Sequence, residues 1–219
     1  HLELPPRPLM ISGPSGSGKT EVMRAASTIF KEQLKIKIID GSTLTQDGWS
    51  GSNKLSANID AEIAEGGILI VDEFDKCSRP RFSSGGDNVA ASIQAEFLKL
   101  LEGELEIKKR GLREDEHVLT NKMGIILVGA FETIREEKEK RRQRAIGFDS
   151  KRELDDNFNE QISDEEYVAY GVLPEIVGRI AAKCTTNQLS DDQYIQIIHI
   201  QTKQTEHQQI IIHIQHSGG

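Results

Sequence analysis

The sequence predicts a five-stranded parallel α/β sheet sandwiched by helices, and three features carry that expectation. The first is Gly13-Pro14-Ser15-Gly16-Ser17-Gly18-Lys19-Thr20, which fits G-x-x-x-x-G-K-[ST] and stands between the apolar Leu9-Met10-Ile11 and a helically spaced segment over 21–34. Glycines let such a loop turn its backbone N–H groups inward around a polyphosphate. Lys19 can reach the β- and γ-phosphates, the Thr20 hydroxyl can ligate Mg²⁺, and a helix starting near Lys19 adds its positive N-terminal end. The second is Ile68-Leu69-Ile70-Val71 running straight into Asp72-Glu73. So continuous an apolar run suits a parallel strand covered on both faces, which places the two carboxylates at the C-terminal edge where α/β sheets bind ligands. The third is alternation, because strands expected at 36–40, 125–129 and 181–185 are separated by helical patterns.

Composition narrows the class. The 219 residues are 37% hydrophobic and 28% charged with a net charge of −8, which describes a globular chain with room for one α/β domain and a small appendage. No apolar run approaches the roughly 18–20 residues of a membrane span, so no membrane role is expected. The acidic balance argues mildly against a nucleic-acid surface. No secretory signal is visible, and the first residue is His1, so the native N-terminus is expected to lie further upstream. Cys77 and Cys184 form no C-x-x-C pair and read as free thiols of a reducing compartment.

The remaining elements follow in chain order. Prolines at 5, 6 and 8 make the lead-in extended. Residues 41–52 are a Gly/Ser/Thr-rich loop carrying the one tryptophan, Trp49. Leu55, Ile59 and Ile63 recur at helical spacing over 54–65, ended by Gly66-Gly67. Residues 78–87 are polar and Gly-rich, and Ile93, Phe97, Leu100 and Leu101 stripe a helix before Gly103. A hairpin with a charged tip is expected over 104–120. Residues 135–144 hold six basic and three acidic side chains, better read as a solvated helix face than as a nucleic-acid contact. Ile146-Gly147-Phe148 is an apolar patch in that charged setting, either tucked beneath its loop or exposed as a partner's anchor. Ser163-x-x-Glu166 and Ser190-x-x-Gln193 read as capping boxes, and Pro174 suits a helix's first turn. Four of the six histidines fall between 199 and 216, with spacings that fit no standard metal pattern.

Taken in order, G-P-S-G-S-G-K-T, G-W-S-G, I-V-D-E-F-D-K, A-I-G-F and G-V-L-P-E-I-V-G-R resemble the ClpX family of AAA+ protein unfoldases over about residues 8–200. The resemblance implies a large nucleotide-binding domain over 1–189 and the truncated beginning of a small helical C-terminal domain over 190–219. It implies ATP and Mg²⁺ as cofactors, with Gly13, Pro14, Ser15, Gly16, Ser17, Gly18, Lys19, Thr20 and Asp72 holding the nucleotide. Thr20 and Asp72 would serve the metal. Glu73 would activate the attacking water, and Arg179 would be an arginine finger reaching a neighbouring subunit's nucleotide. Gly48-Trp49-Ser50-Gly51 falls where the family has its G-Y-V-G pore loop, and Ile146-Gly147-Phe148 is similar to the tripeptide that docks on the ClpP peptidase. The HslU unfoldases share a G-Y-V-G loop but carry a long inserted domain before the acidic strand, and the gap here leaves no room for one.

The implied function is an ATP-dependent unfoldase and translocase. It would work as a homohexamer on unfolded or tagged proteins and feed them to a ClpP-type peptidase, in the cytoplasm or, in a eukaryote, the mitochondrial matrix. Two alternatives stand beside it: a nucleotide-binding docking module or regulatory paralogue without unfolding activity, and an AAA+ ATPase acting on nucleic acid. Departures from the family pattern are specific. Trp49 replaces tyrosine, Ser52-Asn53 replace an acidic pair, and Lys108, Lys109 and Arg110 stand where an R-K-H tripeptide is expected. Gly129 and Ala130 occupy a position that is often a polar sensor. There is no second-sensor arginine motif and no four-cysteine zinc segment, so a truncated piece or a reduced paralogue is expected.

Overall fold

The computed structural model describes residues 7–45, 53–82, 85–86, 88–108, 117–146, 161–197 and 199–200. Strand β1 (Leu9–Ser12) leads through the glycine-rich loop into helix α1 (Lys19–Ile29). The helix stops short of the expected Leu34, because Gln33 and Leu34 both donate to the Phe30 carbonyl and close a turn. Strand β2 (Ile36–Asp40) follows. The expected helix over 54–65 is broken into a single 3-10 turn, Ser56–Asn58, and a short α2 (Ala61–Ala64). Asn58 donates to the Lys54 carbonyl and the Asn53 side chain, and Ile59 and Asp60 are extended between the two pieces. The apolar spacing nonetheless does its work, since Leu55, Ile59 and Ile63 are all buried.

Strand β3 (Ile68–Asp72) runs into helix α3 (Phe74–Ser78), and α4 (Val89–Glu102) comes after. Helix α4 has a built start and stop: the Asn88 carboxamide oxygen accepts from Ala91 N at 3.3 Å, and Gly103 ends it in the left-handed conformation. The hairpin exists as β4 (Glu106–Lys108) paired antiparallel with β5 (His117–Leu119). Strand β6 (Gly124–Gly129), α5 (Glu132–Ile146), α6 (Asp164–Tyr170), α7 (Pro174–Arg179) and β7 (Ala182–Thr185) complete the order. The Ser163/Glu166 capping box forms on α6, and Pro174 opens α7.

The five long-range strands make one wholly parallel sheet in the order β2-β3-β6-β1-β7. On one face Met10, Leu69, Val71, Ile125 and Leu127 join Phe74, Ile93, Phe97 and Leu100 in the main core. Phe74 and Phe97 meet edge to face with centroids 5.2 Å apart. The other face is more thinly covered: Ile70, Val128 and Met23 of α1 are buried there, while Ile36, Ile38 and Ile126 are partly open. Among the described residues no helix is long and apolar enough to cross a membrane.

The chain divides into two compact units, 1–187 and 188–219. In the second, Ser190 and Gln193 cap each other reciprocally at the start of a helical run over 191–197.

Candidate functional site

Strand order explains why chemistry gathers at one edge. The C-terminal ends of β1 and β3 are separated only by β6, so the glycine loop and the Asp72-Glu73 pair emerge side by side although far apart in sequence. Thr20 Oγ1 donates to Asp72 Oδ2 at 2.6 Å across 52 residues of sequence.

The loop itself is fixed from several sides. Gly18 sits at φ +81°, a conformation that favours glycine, immediately before α1. A Cβ at Gly13 would collide with the Thr186 side chain, which also hydrogen-bonds Ser17 Oγ at 2.8 Å. Thr186 N donates in turn to Ser12 O at 2.8 Å, so the end of β7 clamps the start of the loop. Lys19 is almost wholly buried and folds back along the loop, donating to Gly13 O and Pro14 O at 2.7 Å each. Burial, with nearby Arg135 second, holds its pKa below the ordinary lysine value.

At the strand end, Asp72 Oδ1 accepts from Glu73 N at 2.9 Å. Glu73 is exposed and left-handed at φ 54°, an uncommon backbone state for a residue with a side chain, of the kind that clusters at functional sites. Behind it Asp75 is buried and accepts from Ala130 N at 3.3 Å, tying α3 to the end of β6.

Two residues outside the sequence-derived set lie against the loop. Glu132, in the first turn of α5, accepts from the Ser15 backbone N–H at 3.0 Å. That hydrogen bond is the main reason its carboxyl sits below the usual carboxylate range. Arg135, one turn on, is half-buried, and its Nε donates to Ala130 O at 3.2 Å. It therefore departs from the solvated face expected of 135–144, because Phe131, buried and left-handed at φ 51°, turns the start of α5 back toward the sheet edge. Spacing gave no hint of either residue. Gly129 and Ala130 do lack a polar side chain, and a polar group reaches the loop two residues later.

Arg179, at the end of α7, makes its hydrogen bonds away from these groups. It donates to Glu175 O and pairs with Glu102 of α4, and its side chain is 38% exposed. Gln94 is a further residue that the spacing did not single out. Buried on α4, it donates to Gly171 O at 2.9 Å and accepts from Leu173 N at 2.8 Å. Gly48, Trp49, Ser50 and Gly51, Gly147 and Phe148, the Ile146 side chain, and Lys109 and Arg110 lie outside the described residues.

Thr20 and Asp72 fit a Mg²⁺ shell of the kind that uses one or two protein oxygens and completes itself with phosphate and water. Among the described residues there is no group of three or more His, Cys, Asp or Glu placed to hold a metal alone.

The family model for the AAA domain (Cdc48 subfamily) matches residues 5–183. The ATP-dependent Clp protease ATP-binding subunit ClpX of Treponema denticola is 31% identical over 212 residues, 87% of this chain and 51% of that relative. The ClpX 2 subunit of Wolinella succinogenes is 28% identical over 90% of this chain and 52% of its own length. The ClpX subunit of Borrelia duttonii is 30% identical over 90% and 50%. The chain thus spans about half the length of the curated relatives it matches. With a five-stranded parallel sheet, a phosphate-loop motif at its C-terminal edge and these matches, the chain belongs to the AAA domain family and is a ClpX-like AAA+ protein.

Proposed function

We propose that the chain binds and hydrolyses Mg·ATP at the β1–α1 loop as the motor of a protein unfoldase and translocase. The observation that carries the nucleotide reading is the 2.6 Å hydrogen bond from Thr20 to Asp72, which joins the glycine loop to the acidic strand end. Lys19 would leave the Gly13 and Pro14 carbonyls for the β- and γ-phosphate oxygens. Thr20 and Asp72 would hold Mg²⁺, which would supply neutralisation of the phosphate charge. Glu73, exposed beside Asp72, would accept a hydrogen bond from the attacking water and take its proton as the water oxygen bonds the γ-phosphorus and the bond from that phosphorus to the bridging oxygen breaks, leaving ADP and inorganic phosphate.

The remaining steps rest on the likeness to the ClpX subunits. Arg179 would exchange Glu102 for a neighbour's γ-phosphate in a homohexamer, which makes hydrolysis depend on assembly. Gly48-Trp49-Ser50-Gly51 would grip unfolded or tagged polypeptide, since an aromatic side chain packs against almost any other. Ile146-Gly147-Phe148 would seat in an apolar cleft of a ClpP-type peptidase. Residues 190–219 would begin a small helical domain, and the protein would work in the cytoplasm, or the mitochondrial matrix of a eukaryote.

The test is Glu73→Gln in the assembled protein. Mg·ATP binding should stay near the parent value while hydrolysis falls by about two orders of magnitude, the scale of general-base catalysis. Hydrolysis at the parent rate would remove Glu73 from the mechanism. Measuring ATPase with an unfolded protein and then with DNA separates the unfoldase from a docking module and from a nucleic-acid motor.

A further inference from the structure

The glycine loop holds a carboxylate from its own chain. Glu132 Oε1 accepts from Ser15 N at 3.0 Å, and its negative charge is close enough to Lys19 to favour the lysine's charged form. Lys19 meanwhile spends its donors on Gly13 O, Pro14 O and Ser17 Oγ. A phosphate-loop lysine is the group that reaches the β- and γ-phosphates. Its ammonium here lies on the carbonyl of Pro14, next to Ser15, so Glu132 is bound at the end of the loop where the terminal phosphate would come. Asp72 and Glu73 already place two carboxylates at the neighbouring strand end.

We propose that Glu132 is a specificity residue for the phosphate chain, an internal carboxylate that occupies the terminal-phosphate end of the loop and that ATP must displace while ADP need not. The inference rests on the nucleotide-binding reading above. Two facts make it more than a loop contact. The side chain is exposed, so the fold does not need it for packing, and the group that donates to its carboxylate is a backbone amide of the loop. An ionised carboxylate left beside an arriving γ-phosphate repels it, whereas a diphosphate ends short of that place. The residue therefore biases the empty and ADP-bound loop against ATP, and nucleotide exchange becomes sensitive to whatever moves the start of α5.

The experiment is Glu132→Gln in the 219-residue chain. The carboxamide keeps an oxygen for Ser15 N and loses only the charge. Dissociation constants for Mg·ADP and for Mg·ATPγS are measured by titration calorimetry at low and moderate salt. Affinity for Mg·ATPγS should rise on the order of tenfold and that for Mg·ADP by no more than about threefold, with the gap narrowing as salt screens the exposed charge. Glu136→Gln, which removes one negative charge from an exposed position on the same helix, should leave the ratio of the two constants at the parent value. An unchanged ratio in Glu132→Gln, or weaker Mg·ATPγS binding, overturns the assignment while leaving the nucleotide reading intact. A parent chain that binds neither nucleotide overturns that reading and this inference with it.

Discussion

Gln94→Met is the substitution that most directly tests how the fold couples the two segments proposed to carry Glu73 and Arg179 into catalysis. Gln94 is 2% exposed and sits on α4 between two other elements. Its Nε2 donates to Gly171 O at 2.9 Å and, over 3.4 Å, to Ser78 O, while its Oε1 accepts from Leu173 N at 2.8 Å. Ser78 ends the helix that starts directly after Glu73, and Leu173 precedes the helix that ends in Arg179. Methionine keeps nearly the same length and volume and strips both polar ends. An orphaned Leu173 N–H and an orphaned Gly171 carbonyl each carry a desolvation cost of about 1–3 kcal/mol, so a total near 3 kcal/mol is expected. Against a whole-domain stability of roughly 5–15 kcal/mol that is a large fraction. Urea unfolding of the chain should show the midpoint falling by about 1 M at constant slope. In the assembled protein ATP turnover should drop more than nucleotide affinity, because the residues displaced flank Glu73 and Arg179, the groups proposed to act in hydrolysis, and not the glycine loop. A loss below 1 kcal/mol at unchanged slope would mean that water or a small shift satisfies both groups, and the coupling argument would fail.

Three further outcomes are expected. Mixing Arg179→Ala with Glu73→Gln subunits should restore part of the parent ATPase, since some sites in mixed rings regain both groups; inactivity at every ratio, with mixing verified, would count against a finger acting in trans. Deleting Ile146-Gly147-Phe148 should abolish peptidase capture, scored by pull-down, with basal ATPase within about twofold: full burial of each large apolar side chain contributes on the order of 2 kcal/mol, and a ring multiplies it through effective concentration. Undiminished capture would remove the docking role. Burial pushes the Cys77 thiol up to about 12, and its Sγ donates to Gly41 O at 3.0 Å. Because the folded pKa is raised, its contribution to stability is complete below the ordinary value of 9.0 and is lost as pH climbs from there toward 12. A thiol reagent at pH 8 should accordingly modify exposed Cys184 and spare Cys77 in the native chain, and equal labelling would show that the core around Cys77 opens.

What the sequence made legible was whatever is written in local pattern. The β1 loop motif, the apolar run into Asp72-Glu73, the Ser163/Glu166 box and Pro174 each act within a few residues of themselves, so their spacing survives as observed structure. The 54–65 segment shows the limit of that logic. Its apolar positions are buried as the period requires, yet Asn58 bonds its own backbone neighbourhood and breaks the helix, because burial constrains which residues face inward and not the path between them.

Glu132, Gln94 and Thr186 were invisible for a different reason: each holds a partner 77 or more residues away in sequence, a pairing that no period encodes. Glu132 shows what decides the matter. In sequence it is one acid at the head of a charged run, indistinguishable from Glu136 and Glu137. What separates it is that Phe131, left-handed and packed edge to face on buried Tyr167 and half-buried Tyr170, aims the first residue of α5 at the loop 117 positions earlier. A charge acquires a function here through the direction the backbone gives it, and that direction is set by an aromatic cluster assembled from opposite sides of the 147–160 stretch.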